Sequence, residues 1–169
     1  CGIRDSRPED IHLPLPEPVP PSGRKYETTW HLLEKEMPKE HIVPPKTAET
    51  VFRRNSKWQG DLDINRLIAR PLTATMAKWH RANQDNYFSE DFVMAKDVKS
   101  ATACASTPNG NLVRRISLKE GLRLQGFEDD VYDVFQSFGI KPTAGFRLIG
   151  NSIPVPLVKT VAEHFFRSI

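Results

Sequence analysis

This 169-residue chain has little cysteine and no long apolar run. Its two cysteines, Cys1 and Cys104, are too few for a disulfide framework and lack metal-ligand spacing to each other or to the five histidines. We therefore predict no metal site. No stretch approaches the roughly 20 apolar residues of a membrane span, and no signal-peptide pattern opens the chain. These absences predict an intracellular, cytoplasmic protein.

The composition is typical of a folded domain. Hydrophobic residues make up 38% of the chain and charged residues of both signs 27%, which excludes a collagen-like or fully disordered chain. The length fits one domain of ordinary size. Because the first residue is Cys rather than Met, we expect the chain to begin inside a longer product or after a cleavage.

Positive charge is concentrated in one segment, although the net charge is only +3. Between Arg53 and Arg81 there are seven Lys or Arg against two Asp, and Trp58, Trp79 and His80 are interleaved with them. This mixture suits phosphate contacts combined with stacking against bases. A solvated basic face with two core tryptophans is the alternative interpretation.

Proline and apolar spacing divide the rest of the chain. Nine of the fourteen prolines precede residue 46, and the run at 13–21 predicts an extended connector. Residues 26–37 have a spacing that predicts a short helix ending at Pro38. Residues 41–112 alternate short β-branched stretches with polar turns, which predicts a strand-rich, loop-heavy region.

Three helices are predicted in the last third. Ser117 and Glu120 form a capping-box pattern, which predicts a helix from about Leu118 to Gln125. A second helix, over about 129–138, has apolar residues at helical spacing, and both helices are predicted to face a core. The third has a stripe that has to be buried against another surface: Leu157, Val158, Val161, Ala162, Phe165 and Ile169.

The Gly150-Asn151-Ser152 sequence before the third helix is a candidate anion site. Free backbone N–H groups and polar side chains would meet there at the positive end of a helix dipole. A simple helix cap is the alternative. The stretch at 114–127, which reads RRISLKEGLRLQGF, favours a functional site over a simple helix cap. In this order and near the C-terminus, the two stretches resemble the last two signature motifs of the cytosine-5 DNA methyltransferases.

The resemblance implies roles for both motifs. Residues 150–154 match the last motif throughout, so Asn151, Ser152 and Ile153 would line the S-adenosylmethionine pocket. The final helix would then pack on the α/β, Rossmann-like catalytic domain. In the earlier motif Lys119 replaces the usual Arg and Glu128 the usual Pro. The positions that match as a structural motif, together with Ser117, are Arg114, Glu120, Arg123, Gln125, Gly126 and Phe127.

Two further stretches are similar to the family. Residues 70–78, followed by Tyr87 and Phe88, look like the Thr-rich strand of its target-recognition region, where members read bases from the major groove. Residues 1–9 resemble the motif that closes the catalytic half, with departures at Asp5 and Glu9. The candidate DNA-contacting residues are Arg53, Arg54, Lys57, Thr73, Thr75, Lys78, Arg81, Asn83 and Gln84.

The catalytic motifs of the family are missing from this sequence. Family catalysis needs a cysteine, within a Pro-Cys motif, that attacks a flipped-out cytosine. Neither Cys1 nor Cys104 follows a proline, and the Phe-x-Gly-x-Gly and Glu-Asn-Val motifs are also missing. We therefore predict that the chain does not methylate alone. It would act with a polypeptide that carries Pro-Cys, either a separate subunit or the other part of an interrupted chain.

The resulting prediction is an α+β chain in three parts. Residues 1–21 end the catalytic domain and form a connector, 22–112 form a strand- and loop-rich target-recognition domain, and 113–169 form helices, the last of which completes the catalytic domain. The chain would serve C5 methylation of cytosine at a specific site in double-stranded DNA, as in bacterial or phage restriction-modification. A stand-alone, non-catalytic DNA-binding module is the alternative.

Overall fold

The computed structural model describes residues 25–53 and 62–167. Short helices and one small sheet make up its regular structure, and none of the helices in these ranges has the length and apolarity needed to cross a membrane. The elements are α1 (Thr29–Leu32), a 3-10 turn (Lys39–His41), α2 (Pro45–Val51), β1 (Tyr87–Ser89), α3 (Glu90–Met94), α4 (Val98–Thr102), β2 (Val113–Arg115), α5 (Leu118–Leu124), α6 (Asp129–Ser137), α7 (Pro142–Gly150) and α8 (Val155–Arg167).

The sheet consists of β1 and β2, which pair antiparallel with Tyr87 opposite Arg115. Ile42 adds an isolated bridge to Arg114. The α+β class is therefore confirmed, but the prediction of a strand-rich middle region is wrong for the described residues. The reason is that side chains replace a strand ladder there. Asn65 bonds the Ser89 backbone N–H, and the Asn86 side chain bonds both the N–H and the carbonyl of Arg70.

The helix predicted over 26–37 is limited to α1. The chain becomes extended at Leu33, and the backbone N–H of Glu34 donates to Oε1 of Glu120 at 2.8 Å. An N–H directed to a carboxylate 86 positions away does not continue a helical ladder. A tertiary contact therefore ends the helix before Pro38.

Two apolar cores lie on opposite sides of β1. Tyr87 packs into one core, and its neighbour Phe88 packs into the other, because successive strand residues face opposite ways. The smaller core contains Val43, Val51, Leu62, Ile64 and Tyr87. The main core contains Leu32, Phe88, Phe92, Ile116, Leu122, Phe146 and Ile149.

The C-terminal helices follow the predicted pattern with two corrections. The capping box of Ser117 and Glu120 is present and opens α5, and α6 ends before Gly139, whose φ is 62°. On α6, however, only one side packs on the core, since Val134 and Phe138 are 50% and 79% exposed. The second correction is α7, which the sequence analysis did not predict and which opens with Pro142.

Glycines allow α5, α7 and α8 to approach one another closely. The position of a Cβ on Gly145 would lie 2.5 Å from a methyl carbon of Leu118, so α7 rests directly on α5. Gly126 adopts a φ of 82°, and Pro156 at the start of α8 occupies the space beside it. Gln125 connects all three helices, because its Nε2 donates to Ile149 O and its carbonyl accepts from Val155 N.

A buried ion pair joins β2 to α5. Arg114 and Glu120 have side chains that are 1% and 0% exposed, and two N–H···O bonds of 2.6 and 2.9 Å connect them. The Glu120 carboxylate also accepts from the backbone N–H groups of Glu34 and Ser117. Arg114 donates in addition to the carbonyls of Glu34 and Arg115. The pair therefore has the further hydrogen bonds that burial of two charges requires.

We expect Glu120→Ala to lower the free energy of unfolding by about 3–5 kcal/mol, because it leaves the Arg114 charge buried without its partner. The matched control is Glu163→Ala, which removes the exposed α8 pair with Lys159 and should cost less than about 0.5 kcal/mol. Urea unfolding followed by circular dichroism measures both. Equal losses in the two variants would contradict this account of the pair.

Candidate functional site

Residues 73–78, here called the threonine turn, take the place of the predicted Thr-rich strand. Met76 N–H donates to Thr73 O and Lys78 N–H to Thr75 O, so the backbone turns instead of extending. The Met76 side chain is buried in the main core beneath the turn. Nη1 of Arg115 holds the far end through a 2.7 Å bond to Ala77 O.

An open cavity of about 400 Å³, lined mainly by polar residue types, lies beside the threonine turn. It brings together four of the predicted DNA-contacting residues: Thr73, Thr75, Asn83 and Gln84. Arg70 and His80, which the site prediction omitted, line it as well. Both lie inside the basic segment, so that signal could have identified them. We refer to this feature as the polar cavity.

Hydrogen bonds hold the wall and floor of the polar cavity. His80 Nε2 lies 2.8 Å from Thr75 O and 3.1 Å from Thr75 Oγ1, and the Tyr87 hydroxyl donates to His80 O at 2.6 Å. Arg70 Nε donates to Ala82 O at 2.8 Å. Side chains fixed in this way present a defined set of donors and acceptors to a ligand.

The other predicted DNA-contacting residues lie outside the polar cavity. Arg53 is exposed just after α2, Lys78 is exposed at the end of the threonine turn, and Arg81 is partly buried. Ala82 N–H donates to Val51 O, which brings the end of α2 next to the 81–84 segment. Arg54 and Lys57, with Trp58, lie outside the described residues.

Trp79 is packed instead of being free to stack on a base. The guanidinium carbon of Arg115 lies 4.4 Å from the centre of its ring, a cation–π geometry. The same guanidinium lies 5.6 Å from the ring of Phe146 on α7. Trp79 is thus partly buried and packed against the smaller core.

Asp85 is a buried carboxyl next to the cavity wall. It is 3% exposed, and Oδ1 accepts from Asn86 N–H at 2.7 Å while Oδ2 has no hydrogen-bond partner among the described residues. Burial raises the pKa of Asp85 to about 6, although the Asn86 N–H and the nearby His80 and Arg115 oppose that shift. Burial also lowers the pKa of Arg115.

The Gly150-Asn151-Ser152 sequence lies at the end of α7. The expectation of free backbone N–H groups there is therefore wrong for Asn151 and Ser152. Asn151 N–H donates to Leu148 O, and Ser152 N–H and Oγ both donate to Ile149 O. These backbone donors are therefore already used. The Asn151 side chain is exposed, Ile153 is 62% exposed, and Ser152 is partly buried.

The earlier motif is a set of contacts around α5. Arg123 forms two bonds of 2.7 and 2.6 Å with Asp129 and a third with Leu32 O. The Arg123 bonds hold the pKa of Asp129 down to about 2. Phe127 packs partly buried against the main core. With the Arg114–Glu120 pair and the Gln125–Gly126 junction, all six matched positions hold elements together.

We expect the buried Asp85 to reduce stability as the pH rises from about 4 to about 6. In that range the carboxyl ionises in the unfolded chain before it does so in the native one, so the native state binds more protons. Asp85→Asn should match the unmodified protein near pH 4 and exceed its stability at pH 7 by up to roughly 3 kcal/mol. Urea unfolding at both pH values measures this, with the exposed Asp133→Asn as control. An unchanged pH dependence in Asp85→Asn would refute it.

Two curated relatives of this chain are named as type II methyltransferases. The Type II methyltransferase M.HgiCI of Herpetosiphon aurantiacus is 45% identical over 58 residues, which are 34% of this chain and 13% of that protein. The putative type II methyltransferase M.OihORF3336P of Oceanobacillus iheyensis is 28% identical over 131 residues, 78% of this chain and 21% of that protein. The chain thus spans only 13% and 21% of the length of these two curated relatives.

A solved structure shares the fold. The Entamoeba histolytica methyltransferase EhMeth superposes with a TM-score of 0.55 and 14% sequence identity, over 83% of this chain and 41% of that one. The family model of the C-5 cytosine-specific DNA methylases matches residues 10–167. Since that match includes the threonine turn, the α5 contacts and the sequence between α7 and α8, the chain belongs to the C-5 cytosine-specific DNA methylase family.

Proposed function

We propose that this chain supplies target recognition, and part of the S-adenosylmethionine site, to a DNA (cytosine-5-)-methyltransferase. Its catalytic motifs would come from a polypeptide with the Pro-Cys sequence that this chain lacks. The observation that carries the proposal is the apolar face of α8. Leu157, Val158 and Val161, predicted to be buried, are each about half exposed. Because the chain belongs to the methylase family, we expect the catalytic domain to cover these residues.

The apolar face of α8 has the properties of an interface. Val155 and Phe166 are also exposed on this helix, and Lys159 and Glu163 form an ion pair on it. An amphipathic helix gains stability when its apolar stripe leaves water, by about 25 cal/mol per Å² buried. The occupant we propose is the catalytic domain of the same enzyme, since the family match runs to residue 167 at the end of α8.

The cofactor motif lies next to that interface. Asn151 and Ile153 are exposed immediately before α8, so a domain that packs on α8 would also meet them. A carboxamide and a branched apolar side chain suit the polar and aromatic parts of S-adenosylmethionine, which supplies the methyl group when bound. The Ser152 hydroxyl donates to Ile149 O, so it offers a bound carboxylate no free proton in this geometry. We therefore assign the contact mainly to Asn151 and Ile153.

The polar cavity is the DNA-contacting part of the proposal. Threonine hydroxyls at 73 and 75, together with the exposed Lys78, suit phosphate oxygens. Gln84 is exposed at the rim and has the amide pattern that pairs with the major-groove edge of adenine. Arg53 and Arg81 extend the positive surface next to it. A stand-alone DNA-binding module would share this surface but would have no use for the α8 face.

Lys78→Ala should lower the slope of log K against log salt concentration for duplex binding by about 0.9, because one phosphate contact is lost. Gln84→Ala should leave that slope unchanged and cost about 1–3 kcal/mol of discrimination at one base pair. Fluorescence anisotropy with a duplex selected from a randomised pool measures both effects. Lys99→Ala, an exposed change on α4, is the control. If all three variants have the same salt slope and the same base discrimination, Lys78 and Gln84 belong to a solvated surface that does not contact DNA.

Val161→Asp should prevent association with a catalytic fragment that bears Pro-Cys, because it places a charge in the proposed apolar interface. DNA affinity should stay within twofold of the unmodified chain. Sedimentation velocity of the mixture measures association, and Lys159→Ala is the control on the charged side of α8. If the unmodified chain binds DNA but does not associate, the stand-alone module is correct.

A further inference from the structure

The end of α7 rests directly on the backbone of the threonine turn. A Cβ on Gly150 would lie 2.3 Å from the amide nitrogen of Ala74 and 2.3 Å from the carbonyl carbon of Thr73. Neither atom belongs to a flexible side chain, so a larger residue at position 150 has to displace the turn itself. Only glycine permits this approach.

This contact differs from those of the other closely packed glycines in the described ranges. A Cβ on Gly121 would meet a methyl carbon of Ile149 at 2.6 Å, and one on Gly145 would meet Leu118 methyl carbons. Those glycines let helices pack through side chains, which can adjust. Gly150 is in contact with backbone, and the chain it touches belongs to the polar cavity.

The threonine turn is held on its remaining sides. Met76 anchors it in the main core, and Arg115 binds the Ala77 carbonyl at 2.7 Å. Gly150 therefore sets the position of the end that carries Thr73. The residue after Gly150 is Asn151, so one contact connects the cofactor motif to the wall of the polar cavity.

We propose that Gly150 is a positioning residue for DNA recognition. By allowing α7 to lie against the Thr73–Ala74 backbone, it sets where the hydroxyls of Thr73 and Thr75 meet the DNA. The inference rests on the proposed function, since it takes the polar cavity as the DNA contact. Gly150 would act on DNA only through the threonine turn. This role requires no change in the fold.

The test compares Gly150→Ala with Gly145→Ala in the full chain. Both changes crowd α7, but only the first displaces the threonine turn. Binding to a selected duplex and to an unrelated duplex is measured by anisotropy, with concentrations corrected for the folded fraction. Gly150→Ala should lower the ratio of specific to non-specific affinity about tenfold, comparable to loss of one base-reading contact. Gly145→Ala should leave that ratio within twofold.

Equal ratios in the two variants would overturn the positioning role and leave the proposed function intact. No specific binding by the unmodified chain would overturn both. If Gly150→Ala does not fold, hydrogen exchange of the unmodified chain decides. A specific duplex should then slow exchange at Asn151 and Ser152 together with residues 73–78, but not in α4. Protection confined to the turn would contradict the inference.

Discussion

The Arg114–Glu120 pair is the interaction on which the rest of this fold depends. Two buried charges have a large desolvation cost, and they are tolerated here because each also bonds backbone groups. Those bonds reach Glu34 after α1 and Ser117 at the cap of α5. The segment after α1 therefore has to assemble with the 114–120 stretch, which lies about 80 positions later in the sequence. Such a requirement favours one arrangement over other compact states in which a charge would lack its partners.

The polar cavity and the 150–154 motif are positioned by residues that follow the two members of this pair in the sequence. Beyond Arg114, β2 ends at Arg115, which binds the threonine turn and stacks on Trp79. Beyond Glu120, α5 is capped by Gln125, which bonds the last turn of α7 and the first residue of α8. Arg115, next to Arg114, thus holds the turn beside the polar cavity, and Gln125, five residues after Glu120, holds the helices around the 150–154 motif. Side chains that are already fixed in this way would lose little entropy in the proposed DNA contact.

Local signals were predictable from the sequence, and contacts between distant residues were not. The α5 cap follows from Ser117 and Glu120, which are only three positions apart, and the amphipathic spacing of α6 and α8 was equally visible. The α7 helix was missed because Gly145 weakens its local helix signal, although that glycine is what lets α5 approach. Without α7, the Asn151 and Ser152 N–H groups were expected to be free. The sequence predicts DNA contacts for Thr73, Thr75 and Gln84, but the turn that carries the two threonines depends on a bond from Arg115, 38 positions away from Ala77.

We propose that this chain forms an active methyltransferase only together with a catalytic partner. Transfer of labelled methyl groups from S-adenosylmethionine to a selected duplex tests it most directly, using the chain, a Pro-Cys fragment and their mixture. We expect transfer by the mixture, in proportion to the complex formed, and none by the chain alone. Specific duplex binding by the chain, with no complex and no transfer in the mixture, would contradict it.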